Sequence, residues 1–137
     1  MIHFSDVLEK QCRRIARQLK KEDSDVSPAT SVRREVALLL SDIDGIRRRQ
    51  EVQRKQLVRR ELDLGSQILN LKDRIDLIPS WQERTRAINE AKHTLDQVRV
   101  QIHRLNWESE MSLQRIRTRL LELWNIHDQL VEDDGNS

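Results

Sequence analysis

Residues 81–131 read WQERTRAINEAKHTLDQVRVQIHRLNWESEMSLQRIRTRLLELWNIHDQLV, and the spacing within them decides the fold. Trp81, Ile88, Leu95, Ile102, Ser109, Ile116, Leu123 and Leu130 recur every seven residues, and all but Ser109 are apolar. Companion positions three residues further on include Ala91, Val98, Leu105 and Ile126. A seven-residue apolar repeat held this long keeps one seam of an α-helix facing another helix. The expected fold is therefore an all-α coiled coil, and the seam implies a partner helix from this chain or another.

The start of this helix is marked in the sequence. Pro79 disfavours helical geometry at Ile78 and cannot donate a backbone hydrogen bond. Ser80, Trp81, Gln82 and Glu83 then match the S-x-x-E capping box. A second helix precedes the break, over about residues 31–77, or from slightly earlier where Pro28 occupies a first helical position. Val32, Val36, Leu39, Ile43 and Ile46 set its frame, Gln50 and Gln53 continue it with polar residues, and Leu57 resumes it. One extra four-residue step leads to Leu64, Ile68, Leu71, Ile75 and Ile78, which reads as a stutter in the repeat. Gly45 and Gly65 each weaken this helix by about 1 kcal/mol relative to Ala.

Two arrangements compete at Pro79: one long kinked rod, or a hairpin of helices over about 31–77 and 80–131. The nearly equal lengths and the stop-and-cap signal favour the hairpin. A short N-terminal helix over about 5–22, with Ser5 as its expected N-cap, aligns Phe4, Leu8, Cys12, Ile15 and Leu19 on one face. Its opposite face is basic, with Lys10, Arg13, Arg14, Arg17, Lys20 and Lys21. The organisation is thus a basic amphipathic helix (1–22), a linker (23–31), a coiled-coil region broken at Pro79 (32–131) and an acidic, disordered tail (132–137). Helix one packs at the open end of the hairpin or against a partner.

The C-terminal third carries a second apolar face. Trp107, Met111, Leu121, Trp124 and Val131 lie off the heptad seam. Large aromatics are seldom left in water, so these positions contact either helix one or another subunit. As a partner-binding face they are Trp107, Met111, Leu121 and Trp124.

Composition narrows the function. Of 137 residues, 35% are charged and 36% apolar, and aromatics are only 3%. Narrow helical seams suit that mixture better than a multilayer core, and the strict periodicity argues against disorder. One cysteine, Cys12, makes no internal disulfide and falls on the apolar face of helix one. No signal-peptide pattern and no membrane-length apolar run are visible, so a reducing compartment, cytoplasm or nucleus, is expected.

Arg47, Arg48, Arg49, Arg54, Lys55, Arg59 and Arg60 form a basic belt containing one acid, Glu51. Such a belt binds an acidic partner or nucleic acid, or is simply a solvated face. The net charge of +2 and the lack of interleaved aromatics disfavour nucleic acid. Helix one is the candidate for peripheral membrane contact.

No catalytic constellation is readable. His3, His93, His103 and His127 form no i, i+4 pair, Cys12 lacks ligand spacing, and there is no Gly-rich phosphate loop. The sequence points to a non-enzyme without metal or cofactor.

In length and periodicity, though not in particular residues, the layout resembles the small coiled-coil subunits of kinetochore, spindle and vesicle-tethering complexes. It also resembles the hairpin stalk proteins of bacterial secretion ATPases. The first resemblance implies an adaptor or scaffold subunit paired with other coiled-coil proteins in a hetero-oligomer, with a homodimer as the alternative. Neither resemblance transfers a site.

Overall fold

The structure, a computed structural model, describes residues 4–21, 27–73 and 80–135. Among these, only Ser27 and Ser80 fall outside helices, and there is no strand. Helix α1 spans Phe4–Arg17 and tightens into a 3-10 turn over Gln18–Lys21. Helix α2 spans Pro28–Asp73 and α3 spans Trp81–Gly135. No described helix is long and apolar enough to cross a membrane.

Helix starts follow local chemistry. α1 already includes Phe4, so Ser5 lies inside its first turn rather than capping it. α2 begins earlier than residue 31. The Ser27 hydroxyl accepts from the Thr30 amide at 3.2 Å, and the Ser27 carbonyl accepts from the Ser31 amide at 3.1 Å. Ser27 is therefore the N-cap and Pro28 the first helical residue, where its missing N–H costs nothing. At α3 the Ser80 hydroxyl accepts from the Glu83 amide at 3.3 Å, as the capping box predicts. α3 then runs past Val131 to Gly135, so part of the expected tail is helical. The Pro79 break and the expected end of helix two at Leu77 lie outside the described residues, as do 22–26 of the linker.

The chain divides into two compact units. The first comprises Met1–Arg47 and Glu110–Ser137, and joins α1, the start of α2 and the end of α3. Leu8 and Cys12 from α1, Val36, Leu40 and Ile43 from α2, and Leu113, Leu120 and Leu123 from α3 make its core. Fully burying each large side chain contributes roughly 1.5–3 kcal/mol, so three helices meeting here give a dense centre.

The second unit, Arg48–Ser109, contains two helical segments. Its buried cluster is small: Ile68, Ala91 and Leu95, with Leu64 and Ile88 packed against them. Val98 is also buried. Gln50 donates to Asn106 at 3.3 Å and Arg99 pairs with Glu61 at 3.4 Å, so the two segments run antiparallel.

Burial revises the expected frames by one residue in two places. On α2, Gln50, Arg54, Leu57, Glu61, Leu64, Ile68 and Leu71 are half-buried or buried, at unbroken steps of four and three. Gln53 is exposed, so the stutter expected between Leu57 and Leu64 is absent and polar side chains fill those seam positions. On α3 within the first unit, Leu113, Ile116, Leu120, Leu123 and His127 are buried or half-buried, at steps of three, four, three and four. Ile126 is 44% exposed and His127 is buried in its stead.

Candidate partner-binding faces

In the first unit the charged side chains tie α1 down. Arg13 donates to Asp44 at 2.9 Å, and Arg47 grips Glu9 through both carboxylate oxygens, at 2.7 and 3.0 Å. α1 thus lies antiparallel to α2. Glu9 is buried, and the Arg117 Nε of α3 stands 3.6 Å from the same carboxylate, too long for a hydrogen bond but close enough for an ion pair. Arg117 also reaches Glu110 at 3.1 Å. One carboxylate therefore joins all three helices. Removing either sign would strand charge in a low-dielectric site.

Cys12 is completely buried, and burial, aided by the neighbouring Glu9 charge, pushes its thiol up to about 11. At neutral pH it stays protonated and is a poor nucleophile. Arg33 Nε donates to His127 Nε2 at 3.0 Å, so this imidazole is a structural acceptor linking α2 to α3. On the outside of the unit Arg119 holds Glu35 and Glu122 at 3.0 and 2.9 Å. None of these polar links was foreseeable from heptad spacing. Thr30, Glu9 and His127 are buried polar residues that only a packed neighbour reveals.

The expected second face divides. Leu121 and Trp124 pack against the protein's own core, which α1 shares. Trp107 and Met111 stay out, at 64% and 39% exposure. Of the expected seam, Leu95, Val98 and Leu123 are buried, while Ile88, Ile102, Leu105, Ile116 and Leu130 are half-buried. Trp81 is 69% exposed.

The basic belt divides as well. Arg47 belongs to the first unit and is spent on Glu9. In the second unit Arg54 holds Glu51 at 2.8 Å, which keeps that carboxyl below the usual range, and Lys55 lies 3.8 Å from it. Arg48, Arg49, Arg59 and Arg60 are exposed, and no ion pair engages them among the described residues. Nor do the described residues hold a group of three His, Cys, Asp or Glu suited to a metal ion.

The second unit therefore presents both unpaired cations and uncovered apolar side chains: Val52, Leu62 and Leu69 on α2, and Trp81, Val100 and Trp107 on α3. No protein-family model matches the chain, and neither a curated protein nor a solved structure matches it.

Proposed function

We propose that the chain is a non-enzymatic coiled-coil adaptor or scaffold subunit, with α2 and α3 forming a long helical hairpin. Antiparallel pairing of α2 with α3 segments inside each unit supports the hairpin. The carrying observation is the second unit's deficit. Its core is a short apolar cluster, yet six large apolar side chains on its surface remain uncovered. Surfaces of that kind mark interaction sites, and further helices would cover them as they do in bundles. The complexes would be hetero-oligomers of the kinetochore, spindle or vesicle-tethering kind, in cytoplasm or nucleus.

Trp107 is the test residue, because it is exposed and its loss leaves both cores intact. Trp107→Ala should retain the circular dichroism and melting curve of the native chain. Capture of the subunit's partners from its native cell should fall by tenfold or more, since an aromatic anchor contributes about 2 kcal/mol. Undiminished capture by the folded variant would remove the basis for this face.

Exposed Arg48, Arg49, Arg59 and Arg60 favour nucleic-acid binding as the second reading. Titration with duplex DNA and RNA at two salt concentrations separates the two: tight binding that collapses with salt supports the rival.

A further inference from the structure

α2 carries a second heptad stripe, on the side turned away from its seam. Arg48, Val52, Lys55, Arg59, Leu62 and Leu69 fall at steps of four, three, four, three and seven, and every one is exposed. Val52, Leu62 and Leu69 reach 57%, 65% and 61% exposure. Steps of three and four are what a helix needs to keep one line of side chains against another helix. In an isolated two-helix unit this line would have no use.

The charges on the stripe select the occupant. Three of its six named positions are basic, and Arg49 and Arg60 flank it. The acids nearby are already engaged: Glu51 by Arg54 and Lys55, and Glu61 by Arg99 across the seam. Asp63 is the one acid between Arg48 and Leu69 without an ion pair among the described residues. We propose that this stripe is the docking seam for an amphipathic helix of another protein, with apolar residues at heptad spacing and Glu or Asp between them. The apolar positions would bury against Val52, Leu62 and Leu69, and the carboxylates would pair with Arg48 and Arg59. Arginine suits such pairing through its planar, bidentate fork. Electrostatic complementarity would set the register and the encounter rate, and the apolar contacts most of the affinity.

This inference rests on reading the chain as a helix-pairing subunit. It uses a face of α2, whereas the Trp107 test uses α3. The probe is a synthetic peptide of three heptads, Leu at the seam positions and Glu at the flanking ones, followed by fluorescence anisotropy against the full chain at low and moderate salt. The expected result is saturable binding, weakened by salt and reduced about tenfold or more by Leu62→Asp. Arg59→Glu should reduce it likewise, yet restore binding of a peptide in which only the Glu facing residue 59 is replaced by Lys. Circular dichroism keeps the variants interpretable, because both sites are exposed.

Several outcomes overturn the proposal. One is a Glu peptide that fails to bind, or binds both variants as well as the native chain. A second is polyglutamate matching it, which would reduce the seam to charge alone. A third is duplex DNA displacing the peptide at lower concentration. A fourth is sedimentation showing that the chain self-associates and that Leu62→Asp abolishes this, which assigns the stripe to a second copy. If the peptide fails while Trp107→Ala still loses partner capture, the subunit reading stands and only this seam falls.

Discussion

The two units of this chain use the same two helices in opposite ways. In the first, α2 and α3 are joined by α1, and eight buried residues share one core. Its charges are paired inward, down to a buried carboxylate held by two arginines. In the second unit the same helices have no third neighbour among that unit's described residues. Its seam is partly filled by Gln50, Arg54 and Glu61, and its buried apolar side chains are Ile68, Ala91, Leu95 and Val98 among the described residues. A third helix is what turns a pair of amphipathic helices into a closed core, and the described residues of the second unit supply none.

The sharpest break of this comparison is a cavity in each core. Ile43 is fully buried among three helices, so Ile43→Ala should cost about 3–5 kcal/mol. Ile68→Ala, in the thinner cluster, should cost about 2 kcal/mol, because fewer neighbours lose contacts. Chemical denaturation of each variant, with amide hydrogen exchange reporting each unit, measures both. Equal losses would mean that the two cores are equally closed.

Ion pairs should differ in the same sense by a smaller amount. Glu9→Ala leaves the buried Nε of Arg117 without its carboxylate, though Glu110 still holds the Nη1, and frees Arg47; it should cost about 2–3 kcal/mol. That is less than a fully buried pair, since Arg47 can turn toward water. Arg99→Ala removes an exposed pair with Glu61 and should cost under about 1 kcal/mol. Comparable values from denaturation midpoints would show that burial does not distinguish the two sites.

The smallest change expected is a gain. A Cβ at Gly65 meets nothing within 4 Å, and Gly65 sits within α2 in the weaker unit. Gly65→Ala should raise stability by about 1 kcal/mol through helix propensity alone. Slower exchange of amides around residue 65, without change at Val36 or Leu120, would place the gain in the second unit.

The sequence by itself determined what depends on neighbours along the chain. The 3.6-residue period separates apolar from polar faces, Ser80 carries a hydroxyl that caps, and Pro28 fits a first turn; these made three helices legible and came close to their starts, while the Ser27 cap emerged only with the structure. A helical wheel assigns a face only to within about one residue, however. Whether Gln53 or Arg54, and Ile126 or His127, turns inward depends on how the neighbouring helix lies. Only the packing settled those positions.

Tertiary structure also decided which cations are spent. Arg47 and Arg48 are adjacent in one basic run, yet Arg47 is committed to Glu9, thirty-eight residues away in sequence, while Arg48 faces solvent. A carboxylate on another helix determines that difference, and no local pattern encodes it. The second apolar face divides for the same physical reason: α1 contributes to the core that Leu121 and Trp124 pack against, and Trp107 stays exposed.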